Sequence, residues 1–448
     1  MKKNTTAGSR NVAALFDAGT FVELGAYRKR AGGEMTGAVC GYGAVNGKLV
    51  YAFSQDSDRQ KGAFDALQAE KIADLYALAL KNGAPVIGIF DSAGAYVTDG
   101  ASALSAYGKL LAAISRASGA VPQIALIGGT CAGLAATAAA MFDLTVLVEG
   151  KSQLFVNAPF LIGKEAGNAD FARKNGLSSV TVTNEDEAFA TLRRLIDLLP
   201  ANAEEGVAVA DCGDDANRAV AACDPFALAD AGSLLEVGEG YANEMRTYLA
   251  KFGGVPCGIV ANDPAEGEGA ITAEGAKKAA HFIGFCDSFG LPVVTLTNSV
   301  GVAVSSAEEG SPLAAALGKL AMTYANATTA KITAVVGKAY GAAFALMGSK
   351  TLGADVVYAL PTALISTMAP DAAVAFLWNG KITETVSRAD LVEKWKAECA
   401  SPEAAAADGS IDDVIDPAEL RQRICAAVYM LLEKNGGSPD RLHCNLPL

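Results

Sequence analysis

Histidine and tryptophan are nearly absent from this chain. Its 448 residues include two histidines, His281 and His443, and two tryptophans. An enzyme with a Ser–His–Asp or Cys–His arrangement needs a histidine as general base, and a histidine-ligated metal site needs histidines that converge. His281 falls in an apolar helical pattern that predicts a core residue, and His443 lies near the end of the sequence. We therefore expect catalysis without histidine and no metal bound by this chain.

Positive charge is also scarce. The chain has 36 Lys and Arg residues against 49 Asp and Glu residues, which gives a formal net charge of −13. Nucleic-acid binding and polybasic membrane contacts both require a basic surface, so this balance disfavours them. An anionic small molecule is still compatible with it, because local lysines and arginines can offset the field of the whole protein. We expect no nucleic-acid partner.

Cysteine pairs of the kind that bind zinc are missing. The nine cysteines include no Cys-x-x-Cys, and several lie in apolar runs. This spacing excludes a zinc ribbon and is typical of small buried hydrophobic residues in a reducing compartment. The polar start, Met1-Lys2-Lys3-Asn4, has no secretory signal pattern. We expect a cytoplasmic protein.

One stretch, residues 123–142, is uncharged and long enough to cross a bilayer. It consists mostly of Ala, Gly and Thr, and Pro122 and Asp143 bound it. The corresponding stretch later in the chain contains Lys338. We therefore predict a buried strand, turn and helix here, not a membrane span.

The chain contains a long duplication. Residues 83–94 read Gly-Ala-Pro-Val-Ile-Gly-Ile-Phe-Asp-Ser-Ala-Gly, and residues 290–301 read Gly-Leu-Pro-Val-Val-Thr-Leu-Thr-Asn-Ser-Val-Gly. Further along, Ala158-Pro159 matches Ala369-Pro370 at nearly the same separation. A separation this long indicates two copies of one domain, because solenoid repeats are much shorter. We predict two domains, residues 1–222 and 223–448.

Secondary-structure signals follow the same order in both halves. In the first half, a helical pattern over residues 64–80 leads to a buried strand at residues 85–90. In the second half, a helix over residues 276–289 leads to a strand at residues 292–296. Helices that alternate with strands predict an α/β fold of repeated ββα units and disfavour a β-sandwich.

Each half also carries a glycine-rich segment between a predicted strand and a predicted helix. Residues 128–134 read Gly-Gly-Thr-Cys-Ala-Gly-Leu, and residues 337–343 read Gly-Lys-Ala-Tyr-Gly-Ala-Ala. The first N–H groups of a helix lack intrahelical partners, so two of them can stabilise an enolate or a tetrahedral oxyanion. Alternatively, such glycines serve only for close packing of helix against strand. Their equivalent places in the repeat favour the catalytic interpretation, with a reactive cofactor supplying the remaining chemistry.

Further motifs are distributed along nearly the whole chain. Each is weak alone, but their combined order and spacing are specific for one family. They are Gly41-Tyr42-Gly43, Phe53-Ser54-Gln55-Asp56, Asp91-Ser92-Ala93-Gly94-Ala95, Ser118-Gly119-Ala120-Val121-Pro122-Gln123-Ile124, Gly258-Ile259-Val260-Ala261-Asn262, Phe285-Cys286-Asp287, Lys338-Ala339-Tyr340-Gly341, Ile411-Asp412-Asp413-Val414-Ile415 and Leu442-His443-Cys444-Asn445-Leu446-Pro447-Leu448. Together they resemble the carboxyltransferase family of biotin-dependent acyl-CoA carboxylases and sodium-pumping decarboxylases, which is built from two tandem crotonase-like domains.

The resemblance implies a division of labour between the halves. The first domain would bind an acyl-CoA, of the propionyl/methylmalonyl or acetyl/malonyl type, and the second would bind biotin on a separate biotin carrier protein. The N–H groups of Gly133 and Leu134 would face the thioester oxygen, and those of Ala342 and Ala343 the ureido oxygen of biotin. The resemblance also implies a set of substrate-binding residues: Ala93, Gly94, Ala132, Gly341 and Ala345.

The family moves a carboxyl group between biotin and the acyl α-carbon without a general base from the protein. Its site forms between the first domain of one subunit and the second domain of another, which implies a homo-oligomer, commonly a hexamer. Further partners would be a biotin carboxylase or a membrane decarboxylase subunit.

The sequence departs from the family pattern in both glycine-rich segments, residues 128–134 and 337–343, which we call the first and second glycine turns. Leu134 and Ala342 stand where the family has a second glycine, and Tyr96 stands where it has an arginine. Two alternatives stay open: a crotonase-like acyl-CoA hydratase or isomerase, and a non-catalytic assembly scaffold. The hydratase alternative needs a carboxylate beside the first turn, where Asp143 is the nearest in sequence after the turn.

Overall fold

The computed structural model describes residues 6–30, 33, 35–163, 165–211 and 213–434. The chain divides into two compact units, Met1–Gly206 with Gly238–Tyr241, and Val207–Val237 with Ala242–Leu448. The motif at residues 442–448, with His443 and Cys444, and also Cys212, lie outside the described residues. The domain boundary after residue 222 stays a prediction.

The first unit is built on one sheet of eight strands. Their order is β1-β2-β3-β4-β5-β6-β8, with β7 paired to β5; β1 to β3 are antiparallel, and the other pairings are parallel. The strands are β1 Val22–Leu24, β2 Ala38–Val45, β3 Lys48–Gln55, β4 Val86–Ser92, β5 Gln123–Ala132, β6 Leu144–Val148, β7 Gln153–Phe155 and β8 Val180–Val182. The helices are α1 Ala7–Leu15, α2 Ala66–Asn82, α3 Ala101–Ala117, α4 Leu134–Ala139, α5 Pro159–Ile162, α6 Ala169–Lys174 and α7 Glu185–Leu198.

The second unit repeats this plan with the order β16-β14-β13-β12-β11-β10-β9 and with β15 paired to β13. The strands are β9 Leu235–Val237, β10 Met245–Phe252, β11 Val255–Asn262, β12 Val293–Ser299, β13 Lys331–Tyr340, β14 Val356–Ala359, β15 Leu364–Ser366 and β16 Asp413–Val414. The helices are α8 Pro225–Leu228, α9 Ala273–Ser288, α10 Ser306–Gly310, α11 Leu313–Asn326, α12 Ala342–Leu346, α13 Pro370–Ala373, α14 Arg388–Cys399, α15 Pro402–Ala407 and α16 Leu420–Met430. The predicted α/β fold is confirmed.

Local signals set the bounds of the long helices. The Asp65 side chain accepts a hydrogen bond from the Gln68 N–H at 2.8 Å and starts α2, and Gly83 ends it with a left-handed backbone, φ +57°. The predicted helix at residues 64–80 is therefore displaced by two residues. In the second unit the Thr272 hydroxyl caps α9 in the same way through the Gly275 N–H, at 2.9 Å.

A cluster of aromatic rings fills the core of the first unit. Phe90 packs edge to face against Phe53 and against Phe142, with ring centroids 5.4 Å apart in both pairs. Gly88 lies in β4 between them, and a Cβ there would come within 2.7 Å of the Phe53 ring. The glycine in this buried strand therefore makes room for the rings.

The structure corrects two sequence-based expectations. Residues 128–132 and 337–340 belong to β5 and β13, because each strand continues past a register shift, so the glycine turn of each unit is confined to Gly133 or Gly341. His281 is exposed on α9, so the prediction of a core residue is wrong.

Two further expectations concern membrane spans and cysteines. Across the described ranges, no helix combines the length and the apolar character needed to cross a membrane. The stretch at residues 123–142 forms strand β5, the turn and helix α4, as predicted. Five of the seven described cysteines are buried, and none of the seven is in a disulfide. Burial raises the pKa of the Cys40 thiol to about 12, which keeps it protonated and unreactive.

Candidate active site

The carboxyl end of β4 is held to β5 by a side chain. The Asp91 Oδ1 atom accepts a hydrogen bond from the Thr130 N–H at 3.1 Å, and the Gln55 Oε1 atom accepts one from the Asp91 N–H at 3.2 Å. A Cβ at Gly129 would lie 2.3 Å from Asp91 Oδ1, so only glycine fits there. This arrangement, which we call the strand bracket, lies at the register shift between β4 and β5, beside the candidate site.

The second unit has the same bracket built from amides. Asn298 Oδ1 accepts from the Lys338 N–H at 3.0 Å, and Asn262 Oδ1 accepts from the Asn298 N–H at 3.3 Å. A Cβ at Gly337 would lie 2.3 Å from Asn298 Oδ1. Because the bracket needs only an acceptor oxygen, Asp and Asn serve equally well. Sequence reasoning used Asp91 and Asn298 to align the repeat and missed this role.

A tight turn follows each bracket and positions two of the predicted substrate-binding residues. The Gly94 N–H donates to Ser92 Oγ at 3.2 Å, and the Ala93 N–H donates to the Lys61 carbonyl at 3.0 Å. Gly94 has φ +105°, and a Cβ there would lie 3.7 Å from the Ala132 carbonyl oxygen. The structure thus brings Ala93, Gly94 and Ala132 together, with Ala93 exposed and Gly94 buried.

The first glycine turn differs from the expectation in one donor. Gly133 has φ +62° and precedes α4, but its N–H already donates to the Phe155 carbonyl at 2.9 Å. Leu134 is the first residue of α4, where the N–H has no intrahelical acceptor. This corrects the expectation for Gly133: the available donors begin at Leu134. Its side chain is 38% exposed, so it borders the site and is not part of the core.

The second glycine turn has the same geometry. Gly341 has φ +53°, and its N–H donates to the Ser366 carbonyl at 2.8 Å. Ala342 and Ala343 are the first two residues of α12, so their N–H groups are the ones without intrahelical acceptors. Ala342 and Ala345 are exposed, and Ala343 is buried. The predicted residues of this half therefore lie together at one strand end.

An arginine that sequence reasoning missed lies over Tyr96. The Arg30 guanidinium carbon is 4.0 Å from the centre of the Tyr96 ring, and its nitrogens pair with Asp65 and Asp99, each at 3.2 Å. These residues line a cavity of about 630 Å³. A guanidinium is therefore present beside position 96, although it comes from a distant part of the chain.

Asp143 lies at the wrong end of the sheet to act at the first turn. Its Oδ2 atom accepts a hydrogen bond from the N–H of Gln123, the first residue of β5, at 2.7 Å. Because β5 has ten residues, roughly 30 Å separates its two ends. Burial raises the pKa of the Asp143 carboxyl to about 7, opposed by that hydrogen bond. The perturbed carboxyl therefore belongs to the scaffold.

The chain belongs to the carboxyl transferase domain family, which matches residues 3–446. The recognition made from the motifs is confirmed. A carboxyltransferase is thus the class of protein that this fold defines.

Among its relatives, the methylmalonyl-CoA decarboxylase subunit alpha of Veillonella parvula is 34% identical over 98% of this chain and 92% of its own. The propionyl-CoA carboxylase beta chain of Saccharopolyspora erythraea is 33% identical over 100% of this chain and 91% of its own. A transcarboxylase 12S crystal structure, described as a hexamer assembly with methylmalonyl-coenzyme A bound, superimposes with a TM-score of 0.93. It is 32% identical and covers 99% of this chain and 93% of its own.

Proposed function

We propose that this chain transfers a carboxyl group between biotin on a carrier protein and an acyl-CoA of the propionyl/methylmalonyl or acetyl/malonyl type. One observation carries the proposal: in each unit a buried parallel strand ends at a glycine with positive φ that starts a short helix, at Gly133 and at Gly341. Two equivalent donor sites suit a reaction in which negative charge develops on both partners. The names of the relatives support the acyl-CoA class.

The first unit would hold the acyl-CoA. The Leu134 N–H would donate to the thioester oxygen as it gains negative charge, and Ala93, Gly94 and Ala132 would line the acyl group. Biotin, when bound, would supply a labile carboxyl group on its ureido nitrogen, and that nitrogen would take up the α-proton in exchange, so the transfer would need no base from the protein. This agrees with the near absence of histidine.

The second unit would hold the biotin, and its turn fits a ureido group. The N–H groups of Ala342 and Ala343 suit a carbonyl oxygen. A cavity of about 230 Å³ lies beside Gly341 and is lined in part by Phe344. The small side chain of Ala345, exposed on α12, leaves the approach open. We assign the domains at residues 1–222 and 223–448 to acyl-CoA and biotin respectively.

We further propose a homo-oligomer, in line with the hexamer described for the transcarboxylase. Each unit leaves an apolar segment exposed after its Ala-Pro pair: Phe160 is 85% exposed and Phe376 is 79% exposed. Large exposed apolar side chains in a cluster mark surfaces that partners cover. A biotin carrier protein, with a biotin carboxylase or a membrane decarboxylase subunit, would complete the complex. The described cysteines are not in disulfides, which suits the cytoplasm.

Carboxyl exchange tests the proposal. The purified full-length chain, a biotinylated carrier domain and methylmalonyl-CoA with a labelled carboxyl group should yield label on the carrier, and an unbiotinylated carrier should acquire none. The same preparation assayed with an enoyl-CoA should show no hydration. Exchange absent with every acyl-CoA of the class, or hydration in place of exchange, contradicts the proposal; tight carrier binding without acyl-CoA binding identifies a scaffold.

A further inference from the structure

Two residues with side chains adopt the left-handed backbone at equivalent places in the two repeats. Lys61 has φ +54° and Glu268 has φ +54°, and each precedes a glycine, Gly62 or Gly269, beside the end of the parallel strand. This conformation is unfavourable for L side chains and natural for glycine. Backbone strain of this kind is concentrated at functional sites, which indicates a role for the side chain.

The two positions carry opposite charges, and only one of these charges is paired. Glu268 forms an ion pair with Lys338 at 2.7 Å. In the first unit the place of Lys338 is taken by Thr130, which is uncharged, and Lys61 forms no ion pair with any residue in the described ranges. At this place the first unit therefore has an exposed lysine without an ion-pair partner in the described ranges, whereas in the second unit the two charges balance.

Lys61 is tied to the part of the site where the acyl group would lie. Its carbonyl oxygen accepts the Ala93 N–H at 3.0 Å, and the neighbouring Gly94 approaches the Ala132 carbonyl, one residue before the glycine turn. The long, flexible stem of a lysine lets the ammonium reach across neighbouring backbone. Coenzyme A carries its phosphates at the opposite end of the pantetheine arm from the thioester, so a lysine beside the acyl group would meet an anion carried by the acyl group itself.

We propose that Lys61 binds the free carboxylate of the carboxylated acyl-CoA and makes the first unit prefer it over the uncarboxylated thioester. This inference rests on the function proposed above and names a specificity-determining residue for it. An ammonium donates charge-assisted hydrogen bonds to a carboxylate, and its attraction is screened by salt. Lys61 thus holds the carboxyl group before its transfer, or after its arrival, beside the thioester.

Binding measurements with matched thioesters test this inference. Isothermal titration calorimetry of the full-length chain with methylmalonyl-CoA and with propionyl-CoA compares ligands that differ only in the carboxylate. In Lys61→Gly, which suits the left-handed backbone, we expect the Kd of methylmalonyl-CoA to rise roughly three- to tenfold and that of propionyl-CoA to stay the same. Lys61→Arg should retain the selectivity, and added salt should reduce it in the wild type.

The control is Glu268→Gly, which makes the same backbone change in the second unit and should leave the ratio of the two Kd values unchanged. If Lys61→Gly unfolds at the same temperature as the wild type or at a higher one, the turn is intact in this variant. Unchanged Kd values, or equal weakening of both thioesters, which would identify a phosphate as the anion, overturn the inference while the proposed function stands. If wild-type protein binds neither thioester, both fail.

Discussion

At the scale of the single residue, the chemistry proposed for the acyl-CoA depends on one backbone N–H, that of Leu134. Leu134 is the first residue of α4, a helical position that proline occupies without losing an intrahelical hydrogen bond. We expect Leu134→Pro to keep the fold and to lower kcat for carboxyl transfer by about 10²–10³, because it removes one donor to the oxyanion. Steady-state kinetics with the biotinylated carrier measure this.

The matched control is Leu134→Gly, which removes the side chain and keeps the N–H. Its kcat should stay within roughly tenfold of the wild type, since the loss in the proline variant comes from the missing donor. Equal losses in the two variants would show that the side chain, and not the N–H, matters.

The strand bracket gives a second prediction at this scale. A Cβ at position 129 would lie 2.3 Å from Asp91 Oδ1, so Gly129→Ala should destabilise the first unit by about 1–3 kcal/mol, the usual cost of overpacking. Urea unfolding followed by far-UV circular dichroism measures this loss of stability. Adding Asp91→Gly should recover part of the loss, because the clash partner is gone. Purely additive losses in the double variant would contradict the bracket.

At the scale of the element, one arginine fixes the last described helix. Arg421 of α16 is fully buried; its guanidinium pairs with Asp230 at 2.7 Å and Asp214 at 3.3 Å and donates to the Leu228 carbonyl at 2.6 Å. Replacing it with methionine removes the cation that pairs with the buried Asp230 carboxylate. We expect Arg421→Met to lower the free energy of unfolding of the second unit by about 3–5 kcal/mol.

Arg423, on the same helix, provides the comparison. It pairs with Glu419 at 3.5 Å, and the two side chains are 46% and 52% exposed. Arg423→Met should change the free energy of unfolding by less than about 1 kcal/mol, because solvent screens exposed pairs. Chemical denaturation measures the free energy of unfolding of both variants. Losses of similar size would show that burial does not determine the strength of these ion pairs.

The sequence alone predicted the elements well where a local pattern determines them. The repeated strand with its preceding helix follows from apolar periodicity and from Gly83, and the carboxyltransferase family follows from the motifs. What it missed depends on contacts between distant residues. Gly129 resembles a turn residue until Asp91 is placed against it, Arg30 reaches Tyr96 from far along the chain, and His281 lies on the exposed side of α9 although its neighbours are apolar.

At the scale of the whole molecule, the two units should respond differently to pH. The partly buried Asp143 has a pKa raised to about 7 from an ordinary value of 3.8. Its counterpart Asp355, which accepts the N–H of Lys331 at the start of β13, pairs with Lys434 at 2.9 Å. Between about pH 4 and 7 the folded first unit holds a proton that the unfolded chain has released. The contribution of Asp143 to the stability of the first unit is therefore greatest below pH 4, and it falls as the pH rises to 7.

Asp143→Asn removes this dependence and keeps an acceptor for the Gln123 N–H. At pH 8 we expect the variant to be more stable than the wild type by at least about 1 kcal/mol, because one pKa unit corresponds to about 1.4 kcal/mol. Near pH 4 the difference should disappear. Urea unfolding across this pH range measures it; a constant difference at all pH values would contradict the assignment to proton binding.

The strand bracket also bears on how two copies of one domain came to differ. It is made of backbone N–H groups, a glycine and any side chain with an acceptor oxygen, so Asp91 in one copy and Asn298 in the other give the same strand spacing. After duplication, each copy could change the charge at its opening without rebuilding its scaffold. A gene duplicated from such a domain starts with two interchangeable sites, and few substitutions separate them into a pair with distinct ligands.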